Sequence, residues 1–320
     1  TFLGIERCDL DKPETFKDAD VVIVGAPIDS GTSHRSGAKF GPQAIRMGDY
    51  LPHDGERPHL ALRTDGLKDL KVVDAGDLIM NGGDLVGSLK LLEAATEKIS
   101  KAGAIAVVLG GDHSIASADV AGIANHRGKG KVSMIHFDAH ADTGADQFGA
   151  LVGHGTPMRR LIENGHVRGD RFLQLGLRGY WPDDATLNWM RDQGMRSYEM
   201  TEIHHRGLKT VLDESFATLT NECDGVFLSV DIDVVDPGMA PGTGTPEPGG
   251  MTSRELLEAV RRICLELPIV GVDIVEVAPP FDSADITAIL ANRVVLEALS
   301  AIALRKKGGT YSPTRNLLDR

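Results

Sequence analysis

The chain has 320 residues, 42% of them hydrophobic and 25% charged, with a formal net charge of -12 and three cysteines. That length accommodates one large α/β domain or two small ones with a sizeable core, and the composition excludes a disordered or low-complexity chain. The acidic balance argues against nucleic acid as a partner, because phosphate binding needs a basic surface.

The opening residues Thr1 to Arg7 lack the basic-then-apolar layout of a signal peptide, and no stretch reads as long and apolar enough to span a bilayer. A cytoplasmic protein with no membrane partner is therefore expected. Cys8, Cys223 and Cys264 are odd in number and without C-x-x-C spacing, which predicts reduced thiols rather than a disulfide framework or a thiolate zinc site.

In chain order, short apolar runs bounded by Gly, Asp or Pro predict strands at Val21–Val24, Lys71–Val73, Ile105–Leu109, Val132–Phe137, Phe172–Leu177, Val226–Val230 and Ile269–Val275. Continuous rather than alternating runs suit strands buried on both faces of a parallel sheet. Between them, Asp84–Lys101 carries Leu85, Leu89, Leu92, Ala95 and Ile99 at helical spacing, and Thr252–Leu267 opens with a capping box of Thr252 and Glu255. The alternation predicts a single three-layer α/β/α domain over residues 1–320 with a mostly parallel sheet. Glycine and proline concentrate in 237–250, which reads as a shaped loop at a site.

Ligands of open parallel sheets bind beyond the carboxyl ends of the strands, and three predicted ends carry unusual residues. They run into Gly110-Gly111-Asp112-His113-Ser114, Asp138-Ala139-His140-Ala141-Asp142 and Asp231-Ile232-Asp233. On extended backbone, side chains two apart share a face, so Asp138, His140 and Asp142 are expected to project together, as are Asp231 and Asp233. Carboxylates massed without lysine or arginine call for divalent cations, and oxygen donors with a minority of imidazoles suit manganese or another mid-series ion. Taken singly, each motif reads as a strand-end turn with Asp capping a helix. Three together in one chain favour a metal site.

GGDHS, DAHAD and SVDIDVVDP, in this order and spacing, resemble the three signatures of the ureohydrolase (arginase/agmatinase) family. The resemblance extends to Gly31–Pro42, to His154-Gly155-Thr156-Pro157 and to Glu276. It implies the arginase/deacetylase-like fold and release of urea from a guanidino compound. It also implies two divalent metals per subunit: His113, Asp138, Asp142 and Asp231 would hold one, and His140, Asp138, Asp231 and Asp233 the other. Asp142 is then expected to orient the attacking water, Glu276 to hold the guanidinium and His154 to shuttle the proton. A trimeric or hexameric homo-oligomer is expected by the same analogy.

For the substrate's tail, 143–153 lacks the Asn and Ser pattern of arginases, which disfavours L-arginine. Gln147, Trp181 and Thr245 are the candidate substrate contacts. Agmatine or 4-guanidinobutyrate is the leading expectation. Free guanidine, an alkylguanidine or metformin with nickel is the alternative, and a fold-related deacetylase or a non-catalytic partner subunit is the alternative of another class. His136 is expected to be a satisfied core histidine and the His204-His205 pair a surface feature. Asp112 is a candidate support for His113, or a helix cap, and Arg35 is expected to shape a loop or subunit contact.

Overall fold

A computed structural model describes residues 1–49, 56–220 and 222–314. Among these described residues eight strands form one sheet: β1 (Val21–Ala26), β2 (Val72–Asp77), β3 (Ile105–Gly110), β4 (Val132–Phe137), β5 (Val167–Leu177), β6 (Arg196–Glu199), β7 (Gly225–Asp231) and β8 (Ile269–Val275). Their order is β2-β1-β3-β8-β7-β4-β5-β6, and every neighbouring pair is parallel.

Alternate residues of each strand enter opposite layers, which is why the runs are apolar without a break. In β3, Val107 and Leu109 join the cluster under the helices Ser253–Glu266 and Ile286–Lys306. Ala106 and Val108 join the one under Leu85–Lys101 and Ala116–Arg127. Three α/β/α layers result, as the alternation predicts. Helix Leu85–Lys101 begins after Asp84, whose carboxylate accepts from the Gly87 N–H, and the capping box of Thr252 and Glu255 is formed.

β6 was not expected. Its four residues are mostly polar and lie at the sheet edge, where no second apolar layer demands a hydrophobic run. The membrane reading also changes: Ile286–Lys306 is long and apolar enough to cross a bilayer by length and composition, but 78% of its most apolar window is buried inside the fold. Cys8 and Cys264 are buried, Cys223 is half-buried, and all three are free thiols.

Register places the site. Leu109 of β3 lies opposite Ile274 of β8, Asp231 of β7 opposite Val275 of β8, and Phe137 of β4 opposite Val230 of β7. The carboxyl ends of four adjacent central strands are thus level. The segments bearing His113, Glu276, Asp231 and Asp138 leave the sheet side by side.

Candidate functional site

The strand-parity expectation gives the right convergence by the wrong geometry. β4 ends at Phe137, and Asp138 then forms a turn in which its Oδ1 accepts the His140 N–H at 2.6 Å. Asp142 follows in the left-handed region (φ 53). Asp231 ends β7 and its Oδ1 accepts the Asp233 N–H at 2.9 Å, so a 3₁₀ turn at Ile232–Val234, not an extended strand, aims Asp233.

The six expected ligands meet. Nδ1 of His113 lies 3.1 Å from one carboxylate oxygen each of Asp138, Asp142 and Asp231. Nδ1 of His140 lies 3.1 Å from Asp233 and 3.4 Å from Asp138. His113, Asp138, Asp231 and Asp233 are almost wholly buried, and His140 opens partly to the surface.

This geometry fits metal ions. The buried Nδ1 of His113 has no hydrogen-bond partner, although three oxygens surround it; one N–H cannot serve three oxygens, whereas a cation among them satisfies all four donors. The tautomer agrees. Ser229 Oγ donates to Asp273 Oδ1 at 2.8 Å and so accepts from His113 Nε2–H at 2.9 Å, which leaves the Nδ1 lone pair facing the carboxylates. Two groups among the described residues have ligand atoms clustered tightly enough for a metal: His113, His136, Asp138 and Asp142, and Asp138, His140 and Asp233.

Electrostatics shows what the bare ligand set does. Burial pulls the His113 imidazole down, but Asp138, Asp142 and Asp231 hold it well above its ordinary range. His140, against the same burial, is pushed up to about 12 by Asp233 and Asp138. Burial, with Asp233 and Asp138 beside it, drives Asp231 up. Protons on the imidazoles take the place of cations, and metal binding must displace them.

His136 is a core histidine, with Nε2 2.8 Å from Asp138 Oδ2 and Nδ1 3.1 Å from Gln174 Nε2, so it steadies the Asp138 carboxylate. His204 and His205 are exposed. Asp112 caps the Ser114 N–H and accepts the Gly31 N–H at 2.7 Å, making it a cap and a loop tether. Arg35 donates to the carbonyls of Thr243 and Gly244 and lies over the Phe281 ring, latching its loop to the glycine-rich segment.

Beyond the ligands lies a cavity of about 410 Å³ lined by Ser33, His140, Asp142, Asp146, Gln147, Phe148, His154, Gly155, Trp181, Asp231 and Thr245. Trp181 and Thr245 face it, and Thr245 Oγ1 also donates to Asp233 Oδ2 at 3.3 Å. Gln147 lines it with an occupied amide: Nε2 donates to Gly31 O at 2.8 Å and Oε1 accepts the Gly155 N–H at 2.9 Å. Behind the wall, Glu276 is buried with φ 62. Its Oε1 accepts the His113 N–H at 2.8 Å and meets His154 Nδ1 at 2.9 Å, while Oε2 has no partner. Burial lowers the His154 pKa, but the Glu276 carboxylate outweighs it and pushes it up to about 9.

Four contributors escaped the sequence reading: Ser33 on His154, Ser229 and Asp273 behind His113, and Arg178, which binds the Asp233, Val234 and Glu247 carbonyls after β7. Two carried a signal: Ser229 shares strand parity with Asp231, and Ser33 lies within the Gly31–Pro42 segment of the resemblance.

The arginase family model matches residues 19–301. The guanidinobutyrase of Pseudomonas aeruginosa is 37% identical over 295 residues, 91% of this chain and 88% of that protein. The agmatinase of Cronobacter sakazakii is 38% identical over 304 residues, covering 95% of this chain and 94% of its own. Among solved structures, proclavaminate amidino hydrolase from Streptomyces clavuligerus superimposes with a TM-score of 0.86 at 34% identity, over 95% of this chain and 97% of that one.

Proposed function

The chain belongs to the arginase family, and from that premise we propose that it hydrolyses a guanidino compound to urea and an amine, using two divalent cations. The observation that carries this reading is the His113 Nδ1 lone pair ringed by three carboxylate oxygens at 3.1 Å. In this reading His113, Asp138, Asp142 and Asp231 would hold one cation and His140, Asp138, Asp231 and Asp233 the other, Asp138 and Asp231 being common to both sets. The oxygen-rich donor set favours manganese.

When bound, the cations supply Lewis acidity that makes water a competent nucleophile near neutral pH. The protein's part is positional. Asp142, on the cavity wall, orients the attacking water through its carboxylate. Glu276, expected to hold the guanidinium, is buried behind the cavity wall and outside its lining, so here it acts through His154, whose Nδ1 its Oε1 meets at 2.9 Å. His154, whose imidazole the Glu276 carboxylate makes more basic than usual, is the group placed on the cavity wall to supply the proton that the departing amine needs.

The cavity also favours one kind of tail. Among the described residues that line it there is no lysine or arginine; the ligand carboxylates would be offset by the cations they hold, which leaves Asp146 as the acidic group facing a tail, and Phe148 and Trp181 give apolar walls. A cationic or neutral tail suits this field, and a carboxylate tail is repelled, so agmatine is favoured over 4-guanidinobutyrate. A homo-oligomer in the cytoplasm completes the reading.

The test is urea release by manganese-loaded enzyme from agmatine, 4-guanidinobutyrate, 3-guanidinopropionate, arginine, guanidine, methylguanidine and metformin. Agmatine is expected to exceed both guanidino acids. Faster turnover of 4-guanidinobutyrate would overturn the tail assignment; no urea from any compound, with two metals bound, would overturn the hydrolase reading.

A further inference from the structure

At one level the apolar sheet gives way to polar side chains. Ser197 of β6, Gln174 of β5, His136 of β4, Ser229 of β7 and Asp273 of β8 are register partners across adjacent strands, and all but Ser197 are fully buried. His136 and Ser229 stand two residues before Asp138 and Asp231.

The bonds among the first three members locate the protons. The Ala141 carbonyl can only accept, so the Gln174 atom 2.7 Å from it is the amide nitrogen, and the amide oxygen takes the Ser197 hydroxyl at 2.9 Å. The second N–H of that nitrogen faces His136 Nδ1 at 3.1 Å. Nδ1 is therefore an acceptor, the ring proton sits on Nε2, and Nε2–H donates to Asp138 Oδ2 at 2.8 Å.

That proton decides what His136 is. The ring offers a nitrogen within 4.8 Å of the ligand atoms of His113, Asp138 and Asp142, and the one turned toward Asp138 is Nε2. A lone pair there would add a second imidazole beside His113. Imidazole-rich sites suit zinc, nickel and copper, whereas oxygen-rich ones suit manganese. Gln174 thus has a hand on both parts of the site: through His136 on the Asp138 carboxylate, and through Ala141 O on the backbone between His140 and Asp142.

We propose that Gln174 is a residue that determines metal specificity: by donating to Nδ1 it holds His136 as a hydrogen-bond donor and bars it from coordination, so that one imidazole serves each cation. This rests on the two-cation reading of the cluster above. Gln174 touches no ligand side chain and acts through the tautomer of His136.

The experiment loads wild type, Gln174→Glu, Gln174→Leu, His136→Phe and the Gln174→Glu/His136→Phe double variant from a manganese–zinc mixture that fills wild type equally with each, and counts bound metals by mass spectrometry. Gln174→Glu keeps the shape and sets a carboxyl oxygen against Nδ1. In its protonated form that oxygen donates to Ala141 O and accepts from Nδ1–H, which frees the Nε2 lone pair. Its zinc-to-manganese ratio is expected to rise about tenfold over wild type, the lower end for residues that orient metal ligands. Gln174→Leu, which removes the donor and supplies no acceptor, should give a smaller rise. His136→Phe has no lone pair to offer, so the double variant should match it. NMR reads the tautomer in wild type itself: in the zinc-loaded protein, which is diamagnetic, long-range proton–nitrogen correlations should place the His136 ring proton on Nε2. A proton on Nδ1 in wild type, an unchanged ratio in Gln174→Glu, equal loss of both metals there, or a rise that persists without His136 would overturn the proposal while leaving the hydrolase reading, tested by urea release, intact. A wild type that binds neither metal would overturn both.

Discussion

Replacing Ser229 by alanine should weaken metal binding at a distance, without touching a ligand. Its hydroxyl is fully buried between His113 Nε2 at 2.9 Å and Asp273 Oδ1 at 2.8 Å. Alanine leaves the imidazole N–H without an acceptor, whereas Asp273 Oδ1 keeps the Val230 N–H at 3.2 Å. An unsatisfied buried donor costs about 1–3 kcal/mol. The ring escapes that cost by rotating, or by moving its proton to Nδ1, and either change withdraws the lone pair that faces Asp138, Asp142 and Asp231. At about 1.4 kcal/mol per tenfold the cost corresponds to roughly 5- to 150-fold weaker binding, in line with the roughly 10- to 100-fold effects of residues that orient metal ligands. The assay is chelator competition on the manganese-loaded enzyme, with retained metal measured by mass spectrometry. One cation, that of His113, should leave at lower chelator concentration while the other stays, and Ser229→Thr should restore retention. An unchanged release curve in Ser229→Ala would refute the reasoning, as would equal loss of both cations together with a lowered Tm.

Asp231→Asn should abolish urea release and lower the content of both metals, because the substitution removes a charge shared by the two proposed sites; near-normal turnover would refute the sharing. The pH profile tests the pairing of His154 and Glu276: a pKa raised from 6.5 to about 9 means that the proton is present below that range and lost as pH rises through it, so activity should fall on the alkaline side. Glu276→Gln removes the charge that raises it and should move that limb to lower pH in whatever activity remains; an unmoved limb counts against the pairing. Gln147→Ala removes the hydrogen bonds to Gly31 and Gly155, and should lower stability by about 1–3 kcal/mol in chemical denaturation. Because its amide is occupied, the variant should slow all guanidino substrates alike, and a changed substrate ranking would return Gln147 to direct contact with the tail.

The parts of the fold legible in the sequence are those in which burial leaves a one-dimensional trace. β3 and β4 are buried along nearly their whole length, so their apolar runs are unbroken; β6, at the edge, leaves none. The residues of the candidate cluster are legible for a related reason: Asp138, His140 and Asp142 stand where an apolar run stops, which is a pattern of neighbours. Their geometry is not legible, because it depends on a side chain folding back onto its own backbone at Asp138 and on a left-handed residue at Asp142. The supporting groups are hidden by distance along the chain. Ser33 lies 121 residues from His154, Arg178 55 from Asp233, and Asp273 44 from Ser229. No local pattern encodes such pairs, and nothing in the sequence says that Gln147, which does line the pocket, also clamps Gly31 and Gly155 with its amide.

Strand order also dictates when the metal site can come into being. β3 and β4 are adjacent in sequence but not in space, since β8 and β7 lie between them. During synthesis, the first two thirds of the chain leaves the ribosome with strands at 105–110 and 132–137 carrying unpaired edges, a long-range pairing problem of the kind that slows folding and invites aggregation. His113 and Asp138 cannot share a cation across that gap until residues 225–275 have inserted. Metal capture is therefore a late event in the birth of the molecule, and a nascent chain halted before β7 should depend on chaperones rather than on added manganese to stay in solution.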